Sequence, residues 1–273
     1  MTRFFLIAGE PSGDRLGAAL MAGLKQLRPD AVFSGVGGPL MEAEGLQSLF
    51  PMEELSVMGI AEVLPRYRQL MRRIKGTANA VLDQKPAALV TIDSPDFSLR
   101  VARRVKEASD IRTIHYVAPS VWAWWPGRAA RMARVIDHVL ALLPFEPRYM
   151  QAAGMSCDFV GHPVVAEPQA SPADVAAFRA HHSLGDAPLV LALPGSRKGE
   201  VSRLAPRFGA ALTTLVRQYP KTRVVVPAAA AVAAQVRDLI RGWPKDTILL
   251  DPATSGPAEK RAAFAAADAA LAA

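Results

Sequence analysis

The chain has 273 residues, is 51% hydrophobic and carries a formal charge of +7. That length and apolar content support a full core and two domains and exclude a disordered or low-complexity chain, while the positive balance leaves nucleic acid, an anionic membrane surface or phosphorylated substrates as partners. A single cysteine, Cys157, excludes an internal disulfide and suits a reducing compartment.

In chain order, the N-terminal "MTRFFLIAGE" has too short an apolar core for a secretory signal and reads straight into a loop. No uninterrupted apolar run is long enough to span a bilayer. Short apolar runs at "RFFLIAG", "AVFSGV", "ALVTID", "RTIHYVA", "HVLALLP" and "CDFVG" predict strands. Between them, Leu16, Leu20, Leu24 and Leu27 recur at helical spacing, as do Leu99, Ala102, Val105 and Ala108. Strands alternating with helices and apolar on both faces predict an α/β fold, a parallel sheet covered on both sides.

The segment "GHPVVAEPQASPAD", with Pro168 and Pro172, reads as a linker and sets the expected domains at 1–163 and 164–273. The second domain restarts the alternation with "PLVLALPGSRKGEV", "TRVVVPA", a helix around "AAVAAQVRDLIRG" and "DTILLDPA". Its last stretch, "AAFAAADAALAA", is either helix or the start of a further strand. This predicts a second Rossmann-like domain, incomplete in this chain.

In open α/β sheets ligands sit beyond the carboxyl ends of the strands. Three loops fall there: "GEPSGD", "DSPDF" and "PGSRKGE". GxGxxG after the first strand, GxxxxGK[ST] and the GxSxG elbow are all absent, which argues against nicotinamide cofactors, P-loop ATPases and α/β-hydrolases. In the first loop, Ser12 or Asp14 could cap the following helix with Gly13 easing the turn, but Glu10 at the strand end is left over for a ligand or for solvent. In the second, Ser94 or Asp96 serves as a helix start, and Asp93 at the strand end is placed as a candidate general base. In the third, Gly195 lets the backbone come close. The amides from Ser196 onward open a helix that favours an anion, and Arg197 adds a permanent charge, with an exposed basic turn as the plainer alternative.

His115, His138, His162, His181 and His182 form no ligand pattern with the acids in the sequence, so no metal site is expected. His162 lies near the domain junction and is either a structural histidine or a substrate contact. In "EVLPRYRQLMRRIK", Val63, Leu64, Tyr67, Leu70, Met71 and Ile74 share one face, with Arg66, Arg68, Arg72, Arg73 and Lys75 elsewhere. Such a helix packs on the core or lies at an anionic membrane. "VAPSVWAWWPGR" holds three of the four tryptophans, either as core or interface or as the lining of an apolar channel. No nucleic-acid motif is present.

The ordered set "AGEPSGD", "MEELSVMGIAEVL", "IDSPDFSLRVA", "HYVAPSVWAW", "LLPFEP", "FVGHP" and "LPGSRKGEV" closely resembles the lipid-A-disaccharide synthases over nearly the whole chain. The resemblance implies a GT-B fold, two Rossmann-like domains facing a cleft. It also implies an inverting, metal-free glycosyl transfer without a cofactor, from UDP-2,3-diacylglucosamine to 2,3-diacylglucosamine 1-phosphate, on the cytoplasmic face of the inner membrane. A homodimer is compatible with it. It further implies Asp93 as base, Glu10 with Ser12 and Gly13 on the acceptor side, and Arg197 with the amides after Gly195 on the diphosphate. Asp14 and His162 join the expected substrate contacts. Members of the family continue past this chain's last residue, so an incomplete donor site is expected. Two rivals stay open: a catalytically silent lipid- or nucleotide-sugar-binding fragment, and another GT-B enzyme acting on UDP-N-acetylglucosamine.

Overall fold

The computed structural model describes residues 1–55, 60–125 and 127–273, without the side chains of 60–66. Residues 56–59 of "MEELSVMGIAEVL", Pro126, and the side chains of Val63, Leu64 and Arg66 therefore lie outside the described residues. Two compact units form, Met1–Ala166 and Glu167–Ala273.

The first unit runs β1 (Thr2–Ala8), α1 (Pro11–Leu27), β2 (Ala31–Val36), α2 (Pro39–Ala43), β3 (Gln47–Ser48), α3 (Ile60–Gln84), β4 (Ala88–Ile92), α4 (Pro95–Ala108), β5 (Arg112–Tyr116), α5 (Gly127–Met132), β6 (His138–Ala141), α6 (Pro147–Ala152) and β7 (Ser156–Phe159). Among the described residues these strands make one sheet in the order β3-β2-β1-β4-β5-β6-β7, with parallel pairings throughout. The unbroken apolar runs follow from burial on both faces. Phe5 and Ile7 of β1, with Leu89 of β4, pack against Val101 and Val105 of α4. Leu6 and Ala8, with Val90 and Ile92, pack against Leu16 and Met21 of α1. Period-two alternation thus sends successive residues to opposite layers, and each fully buried large side chain contributes about 2 kcal/mol of transfer free energy.

The amphipathic helix α3 turns Ile74 fully inward, and Leu70 and Met71 pack on the same core. Over these residues the apolar face belongs to the protein interior, while Tyr67 stays about half exposed.

The second unit runs α7 (Pro172–His181), β8 (Leu189–Leu193), α8 (Lys198–Gln218), β9 (Arg223–Pro227), α9 (Ala233–Leu239), β10 (Ile248–Leu250), α10 (Pro257–Ala266) and β11 (Ala269–Ala272). Its described strands form a parallel sheet in the order β10-β9-β8-β11. The two-face rule repeats: Val190 and Ala192 meet Val201 and Phe208 of α8, whereas Leu189 and Leu191 meet Phe178 of α7 and Ala262, Ala263 and Ala266 of α10. The alanine-rich last segment resolves into both of its readings, the helix α10 followed by the strand β11, which pairs with β8. Small side chains let α10 lie close to the sheet. Among the described residues no helix is long and apolar enough to cross a membrane.

Candidate active site

Strand order in the first sheet reverses between β1 and β4, so their carboxyl ends border the crevice where open α/β sheets bind ligands. The register sets Ala8 beside Ile92, which puts the loops that follow, Gly9-Glu10 and Asp93-Ser94, side by side. A Cβ on Gly9 would fall 2.5 Å from Ser94 Oγ, so only glycine allows this approach. Asp93 and Ser94 both take left-handed backbone angles (φ 49° and 44°), and Val117 at the end of neighbouring β5 has φ 84°. Such conformations cost on the order of 1–3 kcal/mol each and gather at ligand sites. The Asp93 amide donates to the Tyr116 carbonyl at 3.1 Å and the Val117 amide to Leu140 at 3.0 Å, which ties this strained rim to the sheet.

Helices α1 and α4 both start at the rim, each with a proline in its first turn. Neither N-cap side chain, Glu10 or Ser94, makes a cap hydrogen bond. Two positive helix ends thus sit on adjacent strands, an arrangement that favours an anion. Ser12 is exposed, Glu10 and Asp93 are half-buried, and Gly13 is buried.

The reading of Ser12 or Asp14 as the α1 cap does not hold, because the N-cap is Glu10. Asp14 instead turns its buried carboxylate to the start of α2. Oδ1 accepts from the amides of Gly38 (2.9 Å) and Met41 (3.0 Å), and Oδ2 accepts from Leu40 (3.0 Å). Three amides occupy the group, and that is a structural duty. On β5, in register with Thr91 of β4, His115 is buried with Nδ1 2.7 Å from the Thr91 hydroxyl. Burial, helped by the Arg128 charge, pushes its pKa down to about 4, so the ring is neutral at working pH. Burial likewise raises the Cys157 thiol to about 11, with Asp158 and Glu146 adding to it, which keeps that thiol protonated.

The rim over β5, β6 and β7 is aromatic. Trp124 and Trp125 are 72% and 74% exposed, and Trp122 stands edge-on to Phe145 at 5.3 Å. His162 follows β7, with its Nδ1 accepting from the Val164 amide at 3.0 Å; its ring is exposed.

In the second unit, the loop after β8 passes through Gly195 in a conformation (φ 119°) that favours glycine, ahead of α8 with Arg197 at its N-cap. Ser196 and Arg197 are exposed. The Ser196 amide, expected to face an anion, donates at 3.0 Å to Oε2 of Glu200, whose carboxylate folds back against Gly195. An anion-shaped place exists there, and the chain's own carboxylate fills it. The sequence signal was present, since Glu200 stands four residues after Ser196 at the first helical turn.

The family model described as lipid-A-disaccharide synthetase matches residues 4–273. The chain is 66% identical to the lipid-A-disaccharide synthase of Ruegeria pomeroyi, covering 100% of this chain and 69% of that protein. It is 52% identical to that of Rhodospirillum centenum, covering 98% and 67%. The fold is similar to that of UDP-GlcNAc 2-epimerase from Neisseria meningitidis bound to UDP-GlcNAc (TM-score 0.65, 11% identity, 100% of this chain and 77% of that chain). It is also similar to Acinetobacter baumannii MurG (TM-score 0.53, 12% identity, 100% and 71%). The architecture is therefore α/β of the GT-B type, built from two parallel-sheet units. Matched from its fourth residue onward by that family model and at high identity to proteins of that name, the chain belongs to the lipid-A-disaccharide synthetase family.

Proposed function

We propose that the chain joins UDP-2,3-diacylglucosamine to 2,3-diacylglucosamine 1-phosphate, releasing UDP and the disaccharide 1-phosphate. Besides family membership, the observation that carries this reading is the half-buried Asp93. It sits in strained backbone at the strand-order reversal, beside two helix N-termini without side-chain caps.

In this reading the acceptor's 6-hydroxyl attacks the donor's anomeric carbon from the face opposite UDP. The new C–O bond forms as the bond to the diphosphate breaks. The hydroxyl proton passes to Asp93, and the electron pair leaves with UDP. Glu10, Ser12 and Gly13 hold the acceptor, whose phosphate suits the N-termini of α1 and α4. In the second unit, Arg197 and the amides after Gly195 steady the negative charge that builds on the leaving diphosphate, with Glu200 turning aside to yield the Ser196 amide. The first unit is thus the acceptor and membrane-side domain, and the second is the nucleotide-sugar domain. Trp122, Trp124 and Trp125 present an apolar surface suited to acyl chains and to the inner-membrane face. His162 lies on the same carboxyl-end rim as a substrate contact.

The test is disaccharide formation, read by mass spectrometry, with the purified chain, both diacylated substrates, detergent and a chelator. The product mass is expected from the acylated pair and not from UDP-N-acetylglucosamine. Binding without turnover would replace the reading with a silent binding protein, and use of the non-acylated sugar would replace it with another GT-B activity.

A further inference from the structure

In the second unit, packing of α7 on α10 brings together three metal-ligand side chains that lie far apart in the chain. His182 Nε2 stands 3.0 Å from Glu259 Oε1, across 77 residues of sequence. One ligand atom from each of His181, His182 and Glu259 falls within 4.8 Å of the others. We propose that these residues form a divalent-cation site of the zinc class, separate from the glycosyl-transfer machinery and independent of the reading given above.

The donor set fits. Two imidazoles and one carboxylate are the borderline nitrogen and hard oxygen ligands that zinc takes, and three protein ligands leave a fourth position for water. Around a tetrahedral zinc the donor atoms stand roughly 3.3 Å apart, given metal–ligand bonds of about 2.0–2.1 Å. The His182–Glu259 edge, at 3.0 Å, is close to that length, and the exposed His181 offers a ligand atom within 4.8 Å of both for the third corner. The ring of His182 is set by contact with buried Phe178 (centroids 4.6 Å), and His181 stands edge-on to it at 4.7 Å. Partial burial lowers competition from water: the side chains of His182 and Glu259 are 17% and 27% exposed. Exposed His181 leaves a path of entry.

Helix position supports the assignment. His181 ends α7 and His182 is its C-cap, where a positive ion meets the negative helix end. Glu259 lies in the first turn of α10, where a carboxylate is favoured without metal and so is held in place before the ion arrives. A bound ion would tie the two helices that cover one face of the second sheet, and its binding free energy would add to the folding stability of that unit.

The experiment uses the tag-free full chain, stripped with a chelator and desalted. It is titrated with zinc by calorimetry, and with cobalt for its visible absorption. One zinc per chain, a higher melting temperature on zinc addition and a tetrahedral cobalt spectrum are expected. H181A keeps the His182–Glu259 pair and so keeps the apo fold; together with E259Q it is expected to weaken zinc binding by at least about tenfold. Absence of stoichiometric binding would overturn the site and leave a plain hydrogen-bonded His182–Glu259 pair. Zinc binding as strong as that of the unaltered chain in both H181A and E259Q would overturn it as well, by placing the metal elsewhere.

Discussion

Gly9 and Ser94 touch across the carboxyl ends of β1 and β4: a Cβ on Gly9 would lie 2.5 Å from Ser94 Oγ and 2.9 Å from Ser94 Cβ. The contact locks two loops that sequence alone leaves separate. Gly9→Ala must therefore push the Ser94 turn, and Asp93 with it. We expect a loss of roughly 1–3 kcal/mol in stability, together with a fall in kcat. Chemical denaturation and steady-state rates measured on one preparation check this, and wild-type turnover in the variant would show that the contact does not position the site.

Asp93→Asn keeps size and backbone but removes the basic oxygen. The expected outcome is a turnover loss of about 10²–10⁴-fold with unchanged thermal unfolding and little change in KM. Turnover within a few-fold of wild type would mean that the proton goes elsewhere.

Asp14 separates structure from recognition. Its carboxylate accepts from three amides at the start of α2, so Asp14→Ala leaves buried donors unpaired and should cost about 3 kcal/mol. Urea unfolding reads that loss directly. A stable variant with impaired acceptor binding would instead place Asp14 among the substrate contacts.

Glu200 and Arg197 should act in opposite directions on the donor. Glu200→Gln removes the negative charge resting on the Ser196 amide and is expected to lower the KM for the UDP-sugar several-fold. Arg197→Ala removes a charge-assisted partner and should lower kcat/KM by about 10–100-fold. Initial rates against donor concentration decide; equal responses in both variants would remove the diphosphate from this loop.

His115 predicts an acid limit to stability. Its pKa is about 4 in the fold against 6.5 as a free side chain, so the unfolded chain binds the proton first. Its stabilising contribution is complete above pH 6.5 and is lost as the pH falls towards 4. The loss amounts to roughly 3 kcal/mol. Denaturation midpoints between pH 7 and 4 should slope downward, and His115→Gln should flatten that slope. An unchanged slope in the variant would assign it to the carboxylates.

Much of the fold is legible along the chain because its causes are local. The apolar runs of β1, β4 and β8 are continuous because both sheet faces are covered, and the helix starts at Pro11 and Pro95 are written in adjacent residues. Their order also places Glu10, Asp93 and Arg197 just beyond strand ends or at a helix start, and it marks the family. The partner each side chain takes is not local. Asp14 reads as a cap for its own helix, yet it caps α2, because sheet order sets β2 beside β1 and brings Gly38 within reach. The two-residue strand β3 carries no periodic signal of its own and exists only through its pairing with β2. Histidines that show no ligand pattern in the sequence gain one when α7 and α10 cover the same sheet face and carry His182 to Glu259. Periodicity encodes which face of an element is buried, whereas contacts between elements distant in the chain depend on strand order and helix packing, and those only the tertiary structure decides.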